Sequence, residues 1–156
     1  REVFSMIDEN KKLQFSGGSM TALGITIHNT NNQYSAEENY QLMLNSSMSY
    51  SAHFFVDKDI AIQAMPLDVQ AFHTGKAYDN GNKYTIAIEI CSKGNDEEFN
   101  KAVENTVLLI QMIRNKLGNL PIYFHNDFDR TKYCPHRLLD QYQNKENFIR
   151  RWNLVN

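Results

Sequence analysis

The chain has 156 residues, of which 42% are hydrophobic and 22% charged, with a net charge of −2 at pH 7 and a pI near 6.2. That length suits one domain with a substantial core, and the charge balance lacks the basic footprint of a nucleic-acid binder. No window approaches the run of about 18 apolar residues that a membrane span needs, so neither nucleic acid nor a bilayer is the expected partner.

Residues 1–21 read as an arm packed on the domain, in which Val3, Phe4, Met6, Ile7, Leu13 and Phe15 are scattered through a polar stretch ending in SGGS, Ser16 to Ser19. The chain opens at Arg1 with no charged-then-apolar leader, so no export signal is expected within it. Ala22 to His28 alternates as a strand does, with Ile25 and Ile27 on one face and Thr26 and His28 on the other. Ser35 and Glu38 match a capping box, and Tyr40, Met43 and Leu44 follow at helical spacing, predicting a helix from near Ala36. From Ser51 to Met65, two β-prone runs flank Asp57, Lys58 and Asp59 in a hairpin pattern, with His53 in the first strand and Pro66 ending the second. Gln70 to Lys76 leads through His73 into a polar, exposed loop ending near Asn82.

Lys83 to Cys91 is the clearest strand. Ile86, Ile88 and Ile90 form one face, and Thr85, Ala87, Glu89 and Cys91 the other. A carboxylate in mid-strand among small neighbours either faces solvent on the outer side of a sheet or serves chemistry. Asn95 then caps a long helix opened by Asp96, Glu97 and Glu98, carried by Phe99, Val103, Val107, Ile110 and Leu117 and ended by Gly118. In Pro121 to Asp140, PIYFHNDFDRTKYCPHRLLD, a β-like run (Ile122 to Phe124) delivers His125, and a polar loop leads to Lys132, Cys134 and His136. Pro135 starts a short helix through Tyr142, and Asn144 caps a last one carrying Phe148, Ile149 and Trp152. This alternation predicts an α/β fold: a central mixed β-sheet flanked by helices in a single domain over 1–156, divided into the arm 1–21, a core 22–142 and a C-terminal helix in 143–156.

Imidazole and thiolate suit Zn²⁺, which takes four protein ligands in a structural site and three plus an open position in a catalytic one. His125 and Cys134 supply two, so a third must come from elsewhere. Against that stand two plainer readings, Cys134 as a small buried hydrophobe and Cys134 in a disulfide with Cys91. His28, Glu89 and His125 all fall in or at the ends of strands. Neighbouring strands lie only about 4.8 Å apart, which lets the three converge on one face.

The segments IHNT (His28), SAHFFVD, AFHTG (His73), IAIEIC (Glu89), FHND (His125) and KYCPHRLL (Lys132, Cys134) stand in the order and context of the type 2 N-acetylmuramoyl-L-alanine amidases. From about Leu23 to Leu139 the chain resembles these zinc-dependent peptidoglycan hydrolases of phage and prophage endolysins and bacterial autolysins, relatives of the peptidoglycan recognition proteins. The resemblance implies one Zn²⁺ held by His28, His125 and Cys134, with Glu89 as acid/base and Lys132 near the reacting carbonyl. It further implies substrate contacts from His73, Asn29 and Thr30, and cleavage of the amide between N-acetylmuramic acid and L-alanine of the stem peptide. The expected setting is the bacterial cell wall, reached by secretion or phage lysis, by a monomer whose chain here carries no wall-binding module.

Three histidines and three tyrosines stay open. His73 is either a cleft residue or a surface imidazole, His53 a hydrogen-bonded structural residue, and His136 an outer neighbour of the site or a surface residue. Tyr34, Tyr50 and Tyr78 are unranked candidates for sugar or peptide contacts. Ala52-His53-Phe54 departs from the Tyr-His-Phe pattern of some family members, which moves the weight of base chemistry onto Glu89. The competing reading is a non-catalytic recognition domain of the same fold. Such domains typically lose the cysteine ligand, and this chain keeps Cys134 together with Glu89 and Lys132.

Overall fold

Two isoleucine-rich strands meet at the centre of the molecule, a computed structural model that describes residues 2–5, 15–46, 50–75 and 80–155. β3 (Gly24–Asn29) and β7 (Thr85–Ile90) pair in parallel, and every residue of both is buried. Around them stand β1 (Glu2–Ser5), β4 (Phe54–Val56), β5 (Ile60–Gln63) and β8 (Ile122–Phe124), giving a six-stranded sheet of order β1-β5-β4-β7-β3-β8. Only the β4–β5 hairpin is antiparallel, so the sheet is mixed. β2 (Ser16–Ser19) and β6 (Val69–Ala71) form a separate two-stranded sheet.

The alternation read from the sequence sorts the two faces. Ile25, Ile27, Ile86, Ile88 and Ile90 join Phe99, Val103, Val107 and Ile110 of the helix α3 (Asp96–Leu117) in one core. That helix is defined at both ends. Asn95 and Glu98 form a capping box, three acids occupy its first turn, and Gly118 sits at φ 97° at its end. On the opposite face, Ala87 and Cys91 pack with Phe55, Ile62, Tyr40 and Met43, the last two from α1 (Ala36–Asn45). The predicted Ser35–Glu38 box caps α1, and Asp57 accepts the Ala36 N–H at 2.8 Å, tying the hairpin turn to the helix.

Four expectations are corrected. The N-terminal arm contains strands: β1 joins the edge of the main sheet and β2 pairs with β6, while residues 6–14 lie outside the described set. His53 immediately precedes β4. β5 ends at Gln63, three residues before Pro66. The polar loop after His73 turns into a helix, α2 (Asn80–Tyr84), because Asn82 is buried where its Oδ1 accepts the backbone N–H groups of His73 and Thr74. Residues 76–79, with Tyr78, lie outside the described set. A 3₁₀ turn at His125–Asp127 follows β8, and α4 (His136–Tyr142) and α5 (Lys145–Arg151) close the chain. Among the described residues no helix is long and apolar enough to cross a membrane.

Candidate metal centre and active-site cleft

Parallel strands place their C-terminal ends side by side, and that edge of an open α/β sheet is where sites form. In the β3–β7 register His28 lies directly beside Glu89, and Ile27 pairs with Phe124, so His125 follows at the end of the next strand. Thr26 and Thr85 share a hydrogen bond of 2.7 Å on the same face as His28 and Glu89. The three side chains named in the sequence thus leave one edge of one face.

Cys134 reaches them from the loop between β8 and α4. Its carbonyl accepts the Asn126 N–H at 3.1 Å, and the Asn29 side chain accepts the Arg137 and Leu138 N–H groups at 2.9 and 3.2 Å. Asn29 therefore splices the start of α4 onto the end of β3, next to His28. The result is one ligand atom each from His28, His125 and Cys134, all within 4.8 Å of one another. Two imidazole nitrogens and a sulfur at that separation are a donor set that fits a tetrahedral, borderline-soft cation with one position left open. Cys91 and Cys134 are both free thiols, and Cys91 is buried beside Asn39, packed with Ala87, Tyr40 and Met43.

The nitrogens of His28 are separately committed. Nδ1 faces Cys134 Sγ at 3.7 Å, and Nε2 meets His73 Nδ1 at 2.9 Å. With Nδ1 as the ligand nitrogen, Nε2 carries the ring proton and donates it to His73, which fixes the ring orientation as an outer partner does. Burial holds His28 well below the usual histidine range, with the neighbouring His73 and His125 adding to the effect, so the ring stays neutral as a ligand must. His73 is pushed down to about 3, first by burial and then by His53 and His125. His53 accepts the Ala87 N–H on Nδ1 and bonds the Val69 carbonyl through Nε2, so it is a satisfied structural histidine.

Glu89 is 5% exposed, which rules out the solvent-facing reading. Burial raises its pKa to about 7, against the lowering effect of a hydrogen bond from the Tyr50 hydroxyl to Oε2 at 2.8 Å. Its Oε1 is buried without a hydrogen-bond partner. A carboxyl poised near neutrality can both take and return a proton. The Cys134 thiol is pushed up to about 12 by burial and then by Glu89, while Lys132 acts in the opposite sense and so lies within electrostatic reach of the sulfur. Lys132 itself is exposed.

These groups line a cleft of about 830 Å³ with Asn29, Tyr50, His73 and His136 among its walls. Thr30 is not a wall residue: its hydroxyl accepts the Ser92 N–H and its carbonyl the Ser92 hydroxyl, both buried. Asn29 borders the cleft, but its Nδ2 also bonds the Ile90 carbonyl, so both ends of its amide are used internally. Tyr34 is exposed and outside the cleft wall. Two contacts escaped the sequence, His73 on His28 and Tyr50 on Glu89. They join residues 45 and 39 positions apart; the AFHTG motif pointed to His73 as a cleft residue and Tyr50 was an unranked candidate, but neither signal named its partner.

The N-acetylmuramoyl-L-alanine amidase family matches residues 18–137. The N-acetylmuramoyl-L-alanine amidase XlyB of Bacillus subtilis (strain 168) is 33% identical over 141 residues, covering 88% of this chain and 44% of the relative. CwlA of the same organism is 36% identical over 126 residues, covering 78% and 46%. The chain thus spans about half the length of the curated relatives it matches. Among solved structures, PlyL superposes with a TM-score of 0.88 at 29% identity, covering 97% of both chains. The PlyG catalytic domain gives 0.87 at 30%, covering 98% of this chain and 94% of that one. On the match across 18–137, the chain belongs to the N-acetylmuramoyl-L-alanine amidase family.

Proposed function

We propose that this domain is a zinc-dependent peptidoglycan hydrolase that cuts the amide between the lactyl group of N-acetylmuramic acid and L-alanine of the stem peptide. The observation that carries the reading is the juxtaposition of three metal-type donors within 4.8 Å of one another with a buried, near-neutral carboxyl in the same cleft. His28, His125 and Cys134 would hold the ion. Zinc bound there supplies a Lewis acid that polarises the amide carbonyl and acidifies water.

The remaining work falls to the chain's own residues. Glu89 accepts a proton from the attacking water as its oxygen bonds to the carbonyl carbon, then delivers that proton to the alanine nitrogen as the C–N bond breaks. The Lys132 ammonium faces the oxyanion that develops on the carbonyl oxygen. His73 holds His28 in the ligand tautomer, and Asn29 shapes the wall beside it. The domain acts as a monomer at the bacterial cell wall, with peptidoglycan as its partner. The retained Cys134 supports catalysis over simple recognition, because a binding module has no need of an open metal position.

Digestion of purified peptidoglycan, with metal analysis on the same sample, tests this. New amino termini without new reducing sugars, abolished by a strong chelator and restored by zinc, are expected. New reducing ends, or full activity in a metal-free sample, would overturn it.

A further inference from the structure

The cleft holds a polar group that the proposed reaction leaves without a role. Tyr50 stands just before β4, and its hydroxyl donates to Glu89 Oε2 at 2.8 Å. Oε2 is also the carboxylate oxygen that lies 3.9 Å from His28 Nδ1. A carboxylate this close to a ligand nitrogen has two options when a cation is present. It can serve as a base, or it can swing in as a fourth ligand and close the position the reaction needs.

The backbone around Tyr50 is fixed. Ser51 N–H donates to the Phe72 carbonyl at 2.9 Å, Ser51 Oγ donates to the Phe15 carbonyl at 2.6 Å, and the same Oγ accepts the Phe72 N–H at 2.9 Å. Three bonds on the adjacent residue make the direction of the Tyr50 side chain a property of the fold. Ala52, fully buried, brings no polar atom that could substitute. The hydroxyl also keeps its proton, since burial and then the Glu89 charge hold Tyr50 well above the usual tyrosine range.

We propose that Tyr50 is a positioning residue for Glu89, whose hydroxyl holds the carboxylate by Oε2 as a base and keeps it out of the metal's fourth position. The inference rests on the reading of Glu89 as the base. Tyr50 occupies one oxygen and leaves Oε1, buried and without a partner, to receive the proton.

The test is a double-mutant cycle of Tyr50→Phe, Glu89→Gln and the pair, assayed on a soluble N-acetylmuramoyl-L-alanyl peptide, with thermal midpoint and zinc content measured on each sample. A hydrogen bond to a charged group sets the scale, so Tyr50→Phe should lower kcat about ten- to a hundredfold with KM, zinc content and thermal midpoint unchanged. In the Glu89→Gln background the same change should cost nothing further. Cobalt-substituted Tyr50→Phe should show an altered visible spectrum, and Glu89→Gln in the same chain should abolish that alteration. If Glu89→Gln turns over like the wild type, Glu89 is not the base and both readings fall. If Glu89→Gln is disabled while Tyr50→Phe keeps its kcat, or if the two losses add, the role of Tyr50 alone is overturned.

Discussion

His28 and Glu89 share one rung of the parallel β3–β7 pair, with His28 Nδ1 3.9 Å from Glu89 Oε2 and both side chains buried. Strand side chains alternate between faces, so a one-residue slip would send either group to the α3 side. The proposed ligand and the proposed base are therefore positioned by backbone pairing between two central, fully buried strands.

Glu89→Gln should keep the fold and the metal and lose most turnover. The amide has nearly the carboxyl's shape, but it cannot take up the water's proton, and general acid–base catalysis contributes about 10²- to 10⁴-fold. Zinc content and kcat on one preparation check this. Loss of zinc in that variant would make Glu89 a ligand or a support of one.

Cys134→Ser should lose zinc or bind it far more weakly, because a hydroxyl is a poor substitute for a thiolate. The circular dichroism spectrum should be unchanged, since Asn29 still joins α4 to β3. Retention of one tightly held zinc per chain would remove Cys134 from the ligand set.

Metal binding should be proton-linked with a definite sign. Burial first of all pushes the Cys134 thiol up to about 12, whereas a zinc ligand has to be a thiolate. His28 is already neutral and gives up nothing. At pH 8, then, loading should release at least one proton per ion, the thiol's, and apparent affinity should rise at least about tenfold per pH unit while the thiol stays protonated. Titration calorimetry in buffers of differing ionisation enthalpy measures this number, and a value near zero would contradict a thiol ligand.

Lys132→Ala separates two uses of one charge. An ammonium that meets the oxyanion only in the transition state gives a loss in kcat with little change in KM, about 3 to 4 kcal/mol for a donor of this kind, and unaltered zinc content. An ammonium that merely attracts stem-peptide carboxylates gives a raised KM, less marked at high salt. Kinetics at two ionic strengths decide, and the first pattern is expected.

What could be read from the sequence divides by the range of the interactions involved. The capping boxes Ser35–Glu38 and Asn95–Glu98 are local, as is the isoleucine alternation of β7, and all three stand in the structure as read. The parallel pairing of Glu2–Ser5 with Ile60–Gln63 joins residues nearly sixty apart and leaves no local mark, so the stretch reads as an arm. Asn80–Tyr84 is helical against its composition, since the tertiary role of Asn82 outweighs the low helix propensity of Asn and Gly. The proposed ligand set followed from motif order, and its three donor atoms lie within 4.8 Å of one another. The contacts that orient it, His73 on His28 and Tyr50 on Glu89, depend on where separate loops cross.

Asn29 carries the last consequence. His28 and Cys134 are 106 residues apart, and a metal joining them in an open chain would have to close that loop itself. Here the Asn29 amide, adjacent to one proposed ligand and bonded to Arg137 and Leu138 just beyond the other, has already clipped the loop shut. An ion held by the proposed ligands would enter a ring whose closure entropy was spent during folding, so its binding energy would go into affinity, and a chelator should yield a quiescent but folded domain that recovers as soon as zinc returns.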